Sequence, residues 1–426
     1  MHDGVASRLA PLAERILLGP AGSAGSLPIR IRAWDGSSIG PAGAPTFVIR
    51  HRRALRRLLW KPGEIGLVRA YVAGELDIEG DIFAALGAVQ QVMRSGEEPI
   101  RLSSDDKREI VRTAVTLGAV GPEPKPPPEE FPLGRAAATA AGTGLGRPGP
   151  LGEGAPFFSR ILGPTLAYGC AYWDDAADLE EAQRAAHEAV ARRLGLGHRS
   201  RILDLSCGWG AFALHAAAEH GARVIGLTRS RAQAEHARDR VERAGLTELI
   251  DIRFGDHSAA GGGPYDAIVA LSGTDQAELI AAELYEMLTP GGRLLLQQLV
   301  RRPGPHSTRR TFTNSYVFPG NGELRPLGEI VATLEEAALE IRGVTPLREQ
   351  YARTLRAWAA GLQQNWAECG GLASPGRARV WLLYLAASAL ACETGRIGMH
   401  EVCVTRRDRE GAAGEILAVG QPSQRR

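Results

Sequence analysis

The chain predicts an α/β fold: a doubly wound, mostly parallel sheet joined to a smaller N-terminal α+β domain. Three observations carry this. The run Arg201-Ile-Leu-Asp-Leu-Ser-Cys-Gly-Trp-Gly-Ala-Phe-Ala-Leu-His215 reads as a buried strand, a glycine turn and a helix start. Strand and helix patterns then alternate as far as Leu299, which demands parallel strands with crossover helices. Residues 121–155 are dominated by Pro, Gly, Ala and acidic residues, and so divide the chain.

Taken in order, an amphipathic helix over Ala6–Leu18 opens the chain. Strands over Pro28–Trp34 and Pro45–Arg50 follow, with Asp35-Gly36 turning between them, then helices near Lys61–Val72 and Asp81–Ser95. After the Pro/Gly stretch, the helix from Ala211 ends at Gly221, a C-cap. Arg223–Ser230 forms a strand that runs into a helix starting near Ser230. Asp251–Asp256 and Tyr265–Leu271 are strands, a helix spans about Gln276–Leu288, and Pro290-Gly-Gly292 turns into the strand Arg293–Leu299. Helical segments at Leu327–Ala338, Tyr351–Ala367 and Ala378–Ala391 precede a last strand from Cys403 and a polar tail. The boundaries that follow are 1–118 for the N-terminal domain, 119–155 for a linker, 156–410 for the α/β domain and 411–426 for the tail.

A length of 426 residues with 44% hydrophobic content supplies ample core, and a formal net charge of +2 gives no argument for nucleic acid. Five cysteines, Cys170, Cys207, Cys369, Cys392 and Cys403, have no CxxC spacing, so neither a disulfide framework nor a metal site is indicated, and a cytoplasmic location is expected. No span approaches a transmembrane helix, so any membrane contact is peripheral. The cluster Arg50-His-Arg-Arg-Ala-Leu-Arg-Arg-Leu-Leu-Trp-Lys61 suits an anionic bilayer surface, or equally a solvated helix face.

In an open parallel sheet the ligand lies beyond the strand ends. Asp204 followed by x-x-x-Gly-x-Gly to Gly210 departs from the dinucleotide fingerprint and resembles the first motif of class I S-adenosylmethionine (SAM) methyltransferases, a Rossmann-like fold. The chain as a whole resembles the cyclopropane-fatty-acyl-phospholipid synthases, in particular the actinobacterial branch that includes 10-methylene-stearate synthases. Ile29-Arg-Ile-Arg-Ala-Trp-Asp-Gly36 and Tyr71-Val-Ala-Gly-Glu-Leu-Asp-Ile-Glu-Gly80 carry the resemblance in the first domain. Leu162-Gly-Pro-Thr-Leu-Ala-Tyr-Gly-Cys-Ala-Tyr172, Leu179-Glu-Glu-Ala-Gln183, Gly226-Leu-Thr-Arg-Ser230, Tyr316-Val-Phe-Pro-Gly320, Gln350–Trp358 and Arg379–Ser388 carry it in the second.

The resemblance implies SAM as methyl donor and, as acceptor, the cis double bond of an unsaturated phospholipid acyl chain, giving a cyclopropane or a methylene or methyl branch. It implies Tyr168 and Gly169 beside the methionine end of SAM, and Asp204, Gly208 and Gly210 at the turn under it. Thr228, Arg229 and Gln233 fall on the ribose side, Asp256 and His257 on the adenine side. In the family a bicarbonate ion acts as base, and the matching positions here are Cys170, Asp275, Gln297, Leu299 through its backbone, and Tyr351. Tyr351 reads equally as a packing aromatic beside Leu355 and Trp358. Three departures stand out: Pro150-Leu-Gly152 replaces a family His-Tyr-Asp, Asp275-Gln276 replaces Glu-His, and Gln297 replaces a His, losing a group that can carry charge. The altered base leaves open a diverged C-methyltransferase acting on another unsaturated small molecule, or a non-catalytic SAM- or lipid-binding subunit. A homodimer is compatible with either.

Overall fold

A computed structural model describes residues 4–18, 27–61, 63–94, 104–131, 152–261, 263–273, 280–304, 311–319 and 323–407. The chain divides into two compact units: Met1–Ala137 with Arg309–Pro319 and Cys369–Leu390, and Ala138–Thr308 with Gly320–Glu368 and Ala391–Arg426. The first unit therefore takes in two segments that the sequence reading places in the α/β domain.

In the first unit, α1 (Val5–Leu18), β1 (Arg30–Arg32), β2 (Ser38–Ile39), β3 (Thr46–Ile49), α2 (Arg53–Trp60), α3 (Glu64–Val72), β4 (Leu76–Glu79), α4 (Ile82–Arg94) and α5 (Ser104–Thr116) follow in order. The four strands form one sheet in the order β2-β1-β3-β4, with β1 and β3 parallel. Its core gathers Leu9, Ile29, Ile31, Ile49, Ala70 and Leu76. The expected linker is built into this unit over its described part, residues 119–131. Buried Glu130 accepts from Arg69 Nε and Nη2 at 2.7 and 2.8 Å and from the Tyr316 hydroxyl at 2.7 Å. A buried, fully paired carboxylate anchors a segment whose proline content alone would leave it loose. Residues 132–151 of the linker and residues 408–426, with the polar tail, lie outside the described residues.

The second unit begins with α6 (Ala155–Leu162) and α7 (Leu179–Leu194), the latter capped by Asp178, whose carboxylate accepts from the Glu181 amide at 2.9 Å. The alternation then runs β5 (Arg201–Asp204), α8 (Ala211–His220), β6 (Arg223–Thr228), α9 (Arg231–Arg243), β7 (Ile250–Phe254), β8 (Tyr265–Gly273), α10 (Ala281–Met287) and β9 (Leu288–Arg301). The short α11 (Phe312–Tyr316) belongs to the first unit. Next come α12 (Leu327–Glu336), β10 (Leu339–Pro346) and α13 (Arg348–Gln364); α14 (Trp366–Leu372) starts in the second unit and continues into the first, which holds α15 (Pro375–Glu393) as far as Leu390, and β11 (Ile397–Arg406) is again in the second.

Seven strands form one sheet in the order β10-β11-β9-β8-β5-β6-β7. From β7 to β9 neighbours are parallel; β11 runs antiparallel to both β9 and β10. Both faces are buried, which is why the strands read as continuous apolar runs. Ile202, Val224, Ile252, Val269 and Leu295 face α7, α8 and α9, and Leu203, Ile268, Leu294, Leu296, Val402 and Val404 face α10 and α12. Between β5 and β8 the order reverses, so the crevice beyond Asp204 is the topological switch point.

Candidate active site

The turn after β5 is written in the backbone. Asp204, 2% exposed, accepts from the Ser206 amide at 3.1 Å, and the Cys207 amide donates to the Leu227 carbonyl of β6 at 2.9 Å. Gly208 and Gly210 have φ of +54° and +83°, the left-handed region. Their reasons differ. A Cβ at Gly208 would meet nothing nearer than the Ser206 carbonyl at 4.0 Å, leaving its backbone open to a ligand, whereas one at Gly210 would press on Ala237 of α9 at 3.3 Å.

At the end of β6 the Thr228 hydroxyl donates to Gln233 Oε1 at 2.7 Å, and Ser230 caps α9. The sequence reading places both Thr228 and Gln233 toward the ribose; the structure brings them together as a buried pair. Arg229 is exposed beside them. Asp256, exposed at the end of β7, accepts from the Ser258 amide and hydroxyl at 3.0 and 2.6 Å, and these bonds hold its carboxyl below the usual range. His257 Nε2 meets Glu283 at 2.7 Å. Among the described residues the buried Ser206 hydroxyl has no hydrogen-bond partner. An open glycine backbone, an orphaned hydroxyl and two strand-end polar groups around one crevice fit an adenosyl sulfonium cofactor.

The segment Tyr168–Cys170 approaches β8 so closely that a Cβ at Gly169 would lie 3.1 Å from the Leu271 carbonyl. Tyr168 stacks on Trp358 of α13 at 5.1 Å between centroids, and Tyr351 meets the same indole edge-on at 6.3 Å. The packing role read for Tyr351 is therefore present. Cys170 is buried, its Sγ 3.6 and 3.9 Å from the Ala171 and Leu347 carbonyls. Burial, with a smaller push from Cys392, lifts its thiol well above the usual value. Asp275 and Gln276 lie outside the described residues.

Gln297 is engaged otherwise than the family pattern implies. Its Nε2 donates to Glu401 Oε2 at 3.2 Å across the β9–β11 ladder, where the two residues are direct partners. The Glu401 side chain, 1% exposed, also accepts from the Tyr172 hydroxyl at 2.8 Å and is paired with Arg193 of α7, which donates to the Tyr172 oxygen as well. Burial lifts the Tyr172 phenol above its usual value, so it remains a donor. Leu299 and its ladder partner Met399 lie two residues along on the same face. Sequence reasoning missed Glu401, Tyr172 and Arg193. The available signal was a carboxylate in an apolar strand between Met399 and Val402, which a two-sided sheet tolerates only when paired.

Two of the residues assigned to bicarbonate have partners within the chain. The Gln297 amide points to a carboxylate, and the Cys170 sulfur lies against carbonyl oxygens. Elsewhere, the basic cluster is largely tied into the first unit: Arg53 and Arg57 pair with Glu75, and Arg50 with Asp77. On α7 and α8, His215 and His220 Nε2 both meet Glu188 Oε2, at 3.3 and 3.0 Å, so this cluster satisfies itself internally.

Comparison with known proteins agrees with this geometry. Residues 153–402 match the family model described as mycolic acid cyclopropane synthetase. A probable fatty acid methyltransferase of Mycobacterium tuberculosis is 31% identical over 91% of this chain and 93% of its own length. The tuberculostearic acid methyltransferase of the same organism is 27% identical over 94% and 92%. The cyclopropane-fatty-acyl-phospholipid synthase of Escherichia coli is 30% identical over 59% of this chain and 65% of its own length. Among solved structures, a mycolic acid cyclopropane synthase complexed with SAH and CTAB superposes with a TM-score of 0.53 at 26% identity, covering 58% of this chain and 93% of that one. With the glycine turn, the switch-point crevice and the matched span in agreement, the chain belongs to the mycolic acid cyclopropane synthetase family and is a SAM-dependent methyltransferase.

Proposed function

We propose that this methyltransferase acts on the cis double bond of an unsaturated fatty acyl chain carried by a phospholipid, giving a cyclopropane or a methylene or methyl branch. The observation that carries the reading is the pairing of a cofactor crevice with an aromatic, buried wall. Tyr168 and Tyr351 both pack on Trp358, and Cys170, two residues from Tyr168, is buried. When bound, SAM supplies an electrophilic sulfonium methyl group. Asp204, Gly208, Gly210, Thr228, Gln233 and Asp256 would hold it, with Tyr168 and Gly169 beside its reactive end. An alkene carbon that gains a methyl leaves a cation at its neighbour. Aromatic faces stabilise such a cation while excluding water that would capture it.

Peripheral attachment at the cytoplasmic face of an anionic membrane belongs to this reading. Trp60 (50% exposed), Val111, Val115 and Val120 are exposed apolar side chains in the first unit, and Arg52, Arg56 and Lys61 supply cationic charge in the same unit. The chain would work as a monomer or a homodimer. A diverged C-methyltransferase acting on another unsaturated molecule is the second reading, favoured by the Gln297–Glu401 pair in place of a titratable histidine.

Expression in a bacterial host lacking its own cyclopropane synthase tests the acceptor. The expected result is conversion of monounsaturated phospholipid chains into products one methylene heavier. An unchanged fatty-acid profile, in cells where the purified chain still binds SAM, would move the acceptor to the second reading. Sedimentation with vesicles tests the surface: binding should need anionic lipid and decline with salt, since attraction is screened within about 8 Å at physiological ionic strength.

A further inference from the structure

Glu401 is a buried carboxylate on the sheet face that carries Gln297 and Leu299. Three donors converge on it, from the Tyr172 hydroxyl, Gln297 Nε2 and Arg193. Arg193 balances its charge, so the ion is stable where it stands, and no uncompensated cation remains among these groups to attract a second anion. Its strand neighbour Met399 accepts from the Leu347 amide at 2.8 Å, and the Leu347 carbonyl is the one that Cys170 approaches. The carboxylate thus binds Gln297, one of the residues that the resemblance assigns to the base.

We propose that Glu401, acting through the Tyr172 hydroxyl, receives the proton released from the methylated acyl cation, so that this chain works without bicarbonate. The inference rests on the alkene acceptor proposed above. A C–H bond of the transferred methyl breaks, and its electron pair closes the third ring bond onto the cationic carbon; where a hydride first shifts to that carbon from its methyl-bearing neighbour, the same electron pair forms the methylene double bond. The proton passes to the Tyr172 oxygen as the phenol's own proton moves 2.8 Å to Glu401 Oε2. The acyl product is then neutral and Glu401 is a carboxylic acid. It returns its proton to water on the side where Arg193, with 23% of its side chain exposed, meets solvent. A proton beside a carbocation is so acidic that a weak base suffices, and placement decides the rate. Tyr172 would touch the acyl chain; Glu401 is a positioning and accepting group behind it.

The test uses the full chain with SAM and vesicles of a monounsaturated phosphatidylglycerol, in buffer stripped of carbon dioxide, with products read by mass spectrometry. Wild type should lose no rate on bicarbonate removal. Glu401→Gln and Tyr172→Phe should each lose about 100-fold in product formation with SAM affinity kept. They should also divert part of the flux to the water-captured alcohol, a change that a merely structural role would not produce. Glu401→Asp should recover part of the rate. A wild-type rate that falls when bicarbonate is removed overturns the proposal, and this needs no variant to fold. A Glu401→Gln enzyme as fast as wild type overturns it equally. Wild type that binds SAM but gives no product fails the acceptor reading, and the inference with it.

Discussion

The two ends of the site are built in different ways. The cofactor end is made by consecutive residues: from Asp204 to Gly210 the backbone itself turns, opens and caps, and the strand ends of β6 and β7 each add one or two side chains. The end proposed to accept the proton is made by side chains brought from afar, Gln297 and Glu401 lying 104 positions apart in the chain and Tyr172 and Glu401 229. The first end depends on local conformation and the second on a charge balance that exists only after folding. They should fail differently.

Breaking the charge balance should have the largest effect on stability. Arg193→Met removes the cation paired with Glu401 and leaves a buried carboxylate held by neutral donors, a loss of about 3–5 kcal/mol. The expected outcome is a chemical-denaturation midpoint well below wild type. Glu401→Gln combined with Arg193→Met should recover most of the loss, because both charges are then gone. If the double variant is no more stable than Arg193→Met alone, the ion pair is not what holds this end.

The helix that carries Arg193 also sharpens the comparison through pH. His187, its ring packed on Phe212 and His215, is pushed down to about 3 by burial and by the nearby His215 and Arg240 charges. Its folded pKa lies below the unfolded value of 6.5, so between those values the unfolded chain binds the extra proton. Stability that is complete above pH 6.5 should therefore decline as pH falls toward 3, by about 2 kcal/mol at pH 5. Melting temperature against pH should show this slope in wild type and a flatter one in His187→Leu. Equal slopes would assign the acid sensitivity to other groups.

How much of this was legible follows the same division. Gly221 was readable as a C-cap and is left-handed at φ +63°, and the helix start at Ser230 was readable because a capping hydroxyl needs only its next three residues. The sheet was readable because strands buried on both faces are apolar throughout. Residues 119–131 were not, because composition describes what a segment lacks, whereas Glu130 is fixed by Arg69 and Tyr316 from other parts of the chain. The stretch that forms α2 was open between a bilayer surface and a solvated helix face, because the burial of Arg57 depends on Glu75, a residue outside the helix. Cys170, Gln297, Leu299 and Tyr351 were assigned by resemblance. Glu401 was not, since no local pattern marks a carboxylate whose partners are supplied by three other elements.

At the cofactor end the expected losses are smaller in stability and specific to binding. Gly208→Val places a β-branched side chain at φ +54°, at a cost of about 1–2 kcal/mol, in the space left open over the turn. Calorimetry should find SAM binding lost while the denaturation midpoint moves only slightly. Retained affinity would mean that the ligand does not approach this glycine. Gly210→Val should differ, losing stability through Ala237 as well.

The smallest effect belongs to Asp256. It is exposed and already spends one oxygen on Ser258, so its remaining acceptor capacity competes with water. One hydrogen bond made in water nets about 1 kcal/mol, so Asp256→Ala should weaken SAM about fivefold without altering methyl transfer at saturation. The Ser258 bonds keep the carboxyl ionised below its usual value of 3.8, so its contribution is present above that value and lost only as pH falls through a still lower one. Wild type and Asp256→Ala should therefore keep a constant affinity ratio between pH 5 and 8. A ratio that narrows within that range would show that the carboxyl titrates there. The Ser258 bonds would then be broken when the cofactor binds, and the strand end would be a moving part of the site, unlike the fixed turn at Gly208.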